Sequence, residues 1–363
     1  MIEKRYIAQT DWLLLGVSML LAAIGIICIY SATRSFESAF YMRQFYWLLI
    51  GLTLLVPTVI IDYSIFERFA YPLFGFTLVL LVIALFGGHT MGGAQRWLSL
   101  GFVSFQPSEL AKITFVITLA KVLSTTRSNK WGMSWRELAL PALILFVPFL
   151  LVARQPDLGT AMIFVFVFTS MVLIVKIRLR TLIILTGGVL AMIPTGWYAI
   201  KDYQRARLLS FIDPAMDPLG SGYQTLQSQI AIGSGGFIGK GFTKGTQGSL
   251  SFLPAHHTDF IFPLLAEEWG FVGGIVVIAL FIILILRGLD IASNSKDRFG
   301  FLLAFGLTAM IFWHVVINIG MVIGFLPVVG VPLPFLSYGG SFLLTVLVSI
   351  GLLLNISMHK YIF

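Results

Sequence analysis

The stretch LPAHHTDFIFPLLAEEWG, Leu253 to Gly270, holds two histidines and three carboxylates in a chain whose charged fraction is only 11%. Asp259 stands at the threshold of a long apolar run and is followed at once by Phe260, Ile261 and Phe262. A carboxylate partly stripped of water in such company holds its proton more tightly, which suits it to general-base work near neutral pH. Pro263 fits the first position of a helix, so Phe262 is the expected cap and Asp259 falls just outside. Glu267 and Glu268 lie a turn or more inside the run, where at least one is expected to face the bundle interior and meet a basic or hydroxyl partner. His256 and His257 flank the acid with no role that their spacing defines.

A second charged pair lies in SFQPSELAKI, where Glu109 and Lys112 share one helical face at i and i+3. Pro107 marks a helix start, and Glu109 there reads as a capping residue that suits the helix dipole. Lys112 sits about a turn and a half further in, at a depth where an ionisable group usually faces the interior or a wet cavity. An interior pair serving a substrate is one reading; capping with a snorkelling lysine is the other. Asp157, in the short turn of RQPDLGTAM, reads equally as the N-cap of the next helix or as a site acid. Arg96 adjoins Trp97, which fits the aromatic belt of a membrane interface. His314, in IFWHVVINIG, reads as a satisfied core histidine. The glycines from Gly233 to Gly241 fail the phosphate-loop spacing, which needs Gly where Ser234 stands and Ser or Thr where Gly241 stands. They read as sharp backbone turns, with Lys240 among them.

The elements that must position these groups follow from composition. Of 363 residues, 58% are hydrophobic, and the mean hydropathy is +0.94, far from the roughly 45–50% apolar make-up of a soluble domain. About 20 apolar residues cross a hydrocarbon core roughly 30 Å thick as a helix. Ten segments qualify: 12–31, 44–61, 71–87, 107–123, 137–153, 158–175, 181–200, 263–286, 300–325 and 338–357. The expected fold is all-α and polytopic, one integral membrane domain over residues 1–363 with about ten transmembrane helices. The first segment is too long for a signal-peptide core and reads as a retained helix. The single Cys28 excludes an intrachain disulfide, and no CxxC or HExxH pattern points to a protein-built metal site.

Lys and Arg gather in alternate connections, including Lys4, Arg5, Arg127, Lys130, Arg178 and Arg287, while the short loops between carry only Arg34, Arg43, Arg96 and Arg154. That asymmetry places both termini in the cytoplasm and leaves one large extracytoplasmic loop over about 201–262. The net charge of +8 is therefore mostly a topology signal and gives no reason to expect nucleic acid. A structureless loop of that length is uncommon unless functional. Within it, YQTLQSQIAIGSGGFIGKGF has apolar residues at helical intervals before the glycines, which predicts a short amphipathic helix on the membrane surface and then a tight, re-entrant turn.

Five blocks also carry a resemblance: AQRWLSLGFVSFQPSELAK, RQPDLGTAM, DPLGSGYQTLQSQIAIGSGGFIGKGF, SFLPAHHTDFIFPLLAEEWG and NIGMVIGFLPVVGVPLPFLSYGGS. In order, from the first span to the last, the chain resembles the SEDS family (shape, elongation, division and sporulation) of peptidoglycan polymerases. HTDFIF before LAEEWG, and PVVGVPLP before FLSYGG, look more like its rod-shape elongation branch than its division branch. The resemblance implies a ten-span glycosyltransferase of the bacterial cytoplasmic membrane that polymerises lipid II into β-1,4 glycan on the outer face. It places the family's essential aspartate on Asp259, its basic residue ahead of the second span on Arg43, and its fourth-span pair on Glu109 and Lys112. It also implies a class B penicillin-binding protein as partner, other elongation-complex proteins, and lipid II with the growing glycan lipid as substrates. Small departures, such as GGSF where a second Ser is usual, put a second hydroxyl beside Ser341 in doubt.

Chemistry and resemblance agree. Asp259 would take the proton of the acceptor 4-OH, while Arg and Lys around a low-dielectric cavity, or a divalent cation such as Mg or Mn, would stabilise the departing pyrophosphate. The substrate-binding candidates are Arg43, Arg96, Glu109, Lys112, Asp157 and Lys240, and a metal ligand set is not defined. Two rival functions use the same residues: a transporter that flips lipid II, for which intramembrane charges are natural, and a non-catalytic scaffold for cell-wall enzymes.

Overall fold

A computed structural model describes residues 10–34, 39–91, 94–100, 103–126, 132–178, 202–213, 220–246 and 258–359, with positions 180, 181, 183, 187 and 217 between them. The helices are α1 (Trp12–Ala32), α2 (Phe40–Ile60), α3 (Tyr63–Arg68), α4 (Ala70–Gly87), α5 (Pro107–Thr125), α6 (Trp135–Arg154) and α7 (Leu158–Ile174). They continue as α8 (Asp202–Ile212), α9 (Ser221–Ser234), α10 (Ile261–Ser293), α11 (Arg298–Val322) and α12 (Gly340–Met358). Among the described residues, seven helices are long and apolar enough to cross a membrane: α1, α2, α4, α6, α10, α11 and α12. α7 is apolar but shorter, and α5 carries Glu109, Lys112 and Lys121 along its 19 residues. Apart from positions 181, 183 and 187, the expected span at 181–200 lies outside the described residues, as do His256 and His257.

The bundle is layered. α5, α11 and α12 form its interior and are buried along most of their length, whereas α2 and α4 lie at the edge and point Tyr46 and Val56, and Phe76 and Phe86, outward. Apolar residues surround these helices rather than forming a stripe, as a bilayer permits. Between such helices water supplies no drive, so close packing of small residues matters. A Cβ added at Gly351 of α12 would come within 2.0 Å of Thr58 Oγ1 on α2, so glycine sets how closely that pair approaches.

Several helix ends are tied to distant elements. Asp11 accepts from Leu14 N–H at 2.9 Å to start α1, and Arg287 near the end of α10 donates to its other oxygen at 2.9 and 2.7 Å. Asp297 caps α11 through Gly300 N–H at 2.6 Å and accepts from the Tyr63 hydroxyl at 2.7 Å.

Three expectations need correction. The fold is not wholly helical, because residues 89–105 form a three-stranded antiparallel sheet: β1 (His89–Met91), β2 (Ala94–Leu100) and β3 (Val103–Phe105). α10 starts at Ile261, so Phe260 is its cap and Pro263 sits inside the first turn, where a missing N–H loses nothing. That start brings Asp259 within one residue of the cap. α10 also runs to Ser293, well past the expected end, and breaks at Gly270 (φ 68°, ψ −166°).

The glycine cluster explains that break. Phe271 N–H donates to Gly236 O at 2.9 Å and Val272 N–H to Phe237 O at 3.2 Å, while Lys240 and Gly241 N–H donate to the carbonyls of Glu267 and Glu268, both at 3.0 Å. The turn after α9 thus satisfies the backbone groups that the interrupted helix frees, as a nonpolar surround demands. Gly239 (φ +85°) is required there, since a Cβ would lie 2.1 Å from Glu268 O.

Candidate functional site

Asp259 closes the chain segment that leads into α10, and its carboxylate lies against the 323–339 loop between α11 and α12. A Cβ on Gly330 (φ +71°) would come within 3.2 Å of Asp259 Oδ2. The backbone around it is held from two sides: Ser337 Oγ donates to Thr258 O at 2.5 Å, and Asn318 Nδ2 donates to Asp259 O at 2.9 Å. Protein packs around the acid, yet the residue keeps partial surface. Burial pushes its pKa up to about 6, against Arg96, a hydrogen bond from the Thr258 side chain and Arg207, with Asp157 adding to the rise.

The opposing wall comes from the sheet and the α6–α7 turn. Arg96 on β2 pairs with Asp157 Oδ2 at 2.9 Å, and Gln106 Nε2 donates to the same oxygen at 3.1 Å. Asp157 Oδ1 accepts from Thr160 N–H at 3.1 Å, so the acid is both the N-cap of α7 and the partner of Arg96. Gly159, in the first turn of α7, packs against the 323–339 loop: a Cβ there would meet Val329 O at 2.6 Å. The sequence candidates Asp259, Asp157 and Arg96 therefore come together at one end of the bundle. The sheet that the sequence did not reveal is what carries Arg96 there.

Glu109 and Lys112 sit deeper behind this wall. Lys112 Nζ contacts Glu109 Oε1 and His314 Nε2, both at 3.0 Å, and lies 5.1 Å from the centre of the Phe342 ring. His314 Nδ1 faces Met310 O at 2.8 Å, so that nitrogen carries the proton and Nε2 accepts from the ammonium. The lysine is 2% exposed and the glutamate 3%. The pair is an interior one, closed off by its own helix partners, and His314 is satisfied as expected.

The remaining candidates go elsewhere. Lys240 Nζ pairs with Glu267 Oε1 at 2.6 Å, and that oxygen also accepts from Thr246 N–H at 2.9 Å and Thr246 Oγ1 at 2.8 Å. Lys240 is thereby brought to the helix break rather than to Asp259. Glu268 accepts from the Ser31 hydroxyl of α1. Arg43 stands exposed in the first turn of α2, next to buried Gln44, which donates to Ser337 O at 3.2 Å and accepts from Gly339 N–H at 3.3 Å.

Sequence reasoning missed Arg207 of α8, whose charge acts on Asp259, and the three amide or hydroxyl residues Gln44, Asn318 and Ser337 that hold the acid's surroundings. A lone Asn in the apolar run WHVVINIG was the available signal, since an amide there must find partners. Among the described residues, no group of three or more His, Cys, Asp or Glu could hold a metal ion. Asp157 is already engaged by Arg96, Gln106 and Thr160. Among the described residues, the groups around Asp259 do not build a divalent-cation site.

A family model described as cell cycle protein, FTSW_RODA_SPOVE, matches residues 11–362. The chain belongs to the SEDS family. Among SEDS relatives it is 43% identical to the peptidoglycan glycosyltransferase MrdB of Escherichia coli over 311 residues, 85% of this chain and 83% of that one. It is 38% identical to the stage V sporulation protein E of Bacillus subtilis over 364 residues, 96% and 97% of the two chains. A solved chain from a peptidoglycan synthase complex that coordinates polymerization and crosslinking superposes with a TM-score of 0.84 at 33% identity, covering 97% of this chain and 98% of that one. The rod shape determining protein RodA of Thermus thermophilus superposes with a TM-score of 0.73 at 29% identity, covering 98% of each chain. The SEDS match, with these long apolar helices, makes the chain a multi-pass membrane protein.

Proposed function

We propose that the chain is a peptidoglycan glycosyltransferase that polymerises lipid II during rod-shape elongation, with Asp259 as its base. The Asp259 end of the bundle faces the outside of the bacterial cytoplasmic membrane, both termini lie in the cytoplasm, and a class B penicillin-binding protein is the partner. Membership of the SEDS family and the names of its relatives support the activity. The likeness to a synthase complex supports the partner. The observation that carries the assignment of the base is Asp259 itself, a residue that keeps partial surface, feels the charges of Arg96 and Arg207 and holds its proton up to about pH 6.

In this reading the deprotonated Asp259 takes the proton of the acceptor 4-OH as that oxygen attacks the anomeric carbon of the donor. The bond from that carbon to the pyrophosphate breaks, and the leaving group departs with the electron pair. One displacement turns an α-linked donor into a β-linked product, so one carboxylate suffices. Arg96 and Arg207 are the cations whose charges act on the acid, and they receive the charge that develops on the pyrophosphate, in a site where desolvation strengthens their effect. Arg43 stands next to Gln44, which bonds the 323–339 loop from α2. Glu109 and Lys112 support the wall from behind, and Lys240 braces the helix break.

A general base of this kind contributes about 10²–10⁴-fold in rate. With fluorescent lipid II and the partner in liposomes, the native protein should make glycan, while Asp259→Ala should make at least about 10²-fold less at equal folded yield. Undiminished polymerisation by a folded variant sinks the assignment of Asp259. Movement of lipid II across the bilayer without glycan, in the native protein, sinks the glycosyltransferase reading in favour of a transporter.

A further inference from the structure

Asn318 lies near the end of α11 with its side chain fully buried. Its Nδ2 donates to two carbonyls that belong to different segments, Asp259 O at 2.9 Å and Val331 O at 2.7 Å. The first segment bears the acid; the second follows Gly330, against which the Asp259 carboxylate rests. One amide thus fixes both the backbone that carries the base and the surface that the base leans on. Both bonds go to backbone oxygens, not to the carboxylate. Its own Oδ1 is buried without a hydrogen-bond partner among the described residues, an arrangement that is costly to keep unless the amide is needed as a donor.

A second polar cluster lies one turn below the amide. His314 lies one turn earlier on α11, so it and Asn318 share a face, and it accepts from Lys112, which Glu109 holds. Buried polar groups on α5 and α11 therefore follow one another toward the backbone of Asp259, with His314 and Asn318 one helical turn apart. We propose that Asn318 is a positioning residue for Asp259, and that the Glu109, Lys112 and His314 cluster acts on the reaction through it rather than by touching substrate. The proposal rests on Asp259 as the base. Misplacing a reacting group by about 1 Å can lower turnover about 10²-fold, so removal of this clamp should appear in kcat.

The test uses the full chain with its partner in liposomes and fluorescent lipid II, with turnover counted per folded molecule. Asn318→Ala should lower kcat about 10²-fold while KM stays within about threefold, the pattern of a lost transition-state interaction. Asn318→Ser keeps a single hydroxyl donor and should recover part of that loss. The acid limb of the pH profile should also move below about 6, because a loosened Asp259 is less desolvated; the charged groups facing it are Arg96 on β2, Asp157 before α7 and Arg207 on α8.

Asn355 supplies a control for mere burial. It is also fully buried and donates to the carbonyls of Thr58, Val59 and Ile61, at the other end of the bundle. Asn355→Ala should leave kcat per folded molecule unchanged. The proposal is overturned if Asn318→Ala keeps kcat within about twofold, or if it changes only folded yield as Asn355→Ala does. If Asn318→Ala does not fold, Asn318→Ser decides: native kcat and an unmoved acid limb overturn the proposal. Should Asp259→Ala itself retain activity, the base reading fails first, and that outcome is distinct from either.

Discussion

The two ends of the helical bundle are built from similar parts to different purposes. At the end where α2 and α12 finish, Asn355 donates to three carbonyls and accepts from Tyr63 N–H at 3.1 Å, and the Tyr63 hydroxyl in turn reaches Asp297. At the Asp259 end, polar groups are left over. The buried side-chain atoms without a hydrogen-bond partner among the described residues are Arg96 Nε, Ser108 Oγ, Glu109 Oε2 and Asn318 Oδ1, and all four lie on the elements that frame Asp259 or stand behind it. Folding alone does not retain unsatisfied buried groups, which each cost about 1–3 kcal/mol. The contrast separates an end optimised for holding helices together from one that gives up stability for chemistry.

Removing a charge is the strongest way to press that contrast. Lys112→Met leaves the buried Glu109 without its ion-pair partner, and breaking one side of a buried pair costs about 3–5 kcal/mol. Thermal unfolding in detergent should show that loss, together with lost polymerisation. Adding Glu109→Gln should restore most of the stability, because replacing both partners of a buried pair is often nearly neutral. If the double variant also regains full turnover, the pair has no role in setting Asp259.

A smaller effect belongs to the opposite end. Asn355→Ala strands three carbonyls and should lower stability by about 1–3 kcal/mol, with no change in kcat per folded molecule. A fall in kcat there would erase the distinction between the two ends.

Much of the architecture was legible because a bilayer restricts the choices. Long apolar runs forecast α1, α2, α4, α6, α11 and α12 to within a few residues, and Pro107 marked the start of α5. The sheet at 89–105 was not legible, since its strands are short and alternate too briefly to signal strand. The break in α10 at Gly270 was hidden for a different reason: its freed backbone groups are satisfied by Gly236, Phe237, Lys240 and Gly241, a pairing no local pattern encodes. The same holds for the site. Asp259 could be picked from its neighbours in sequence, as an acid at an apolar threshold. Arg96 with Asp157, Lys240 with Glu267 and Asn318 with Asp259 O are contacts between distant segments, and their geometry exists only once the helices pack.

The central claim is that Asp259 gives up solvation at this end of the bundle so that it can accept a proton near neutral pH. The direct measurement is the pH profile of kcat/KM for lipid II polymerisation, in the native protein and in Asp157→Asn. Burial places the acid limb of the native profile at about pH 6, with activity rising as the carboxylate deprotonates above it. Asp157 adds to the rise in the Asp259 pKa, so neutralising it should move the limb to lower pH. A native profile flat between pH 5 and 7 by ~threefold or less, or a limb that stays in place in Asp157→Asn, would contradict the account.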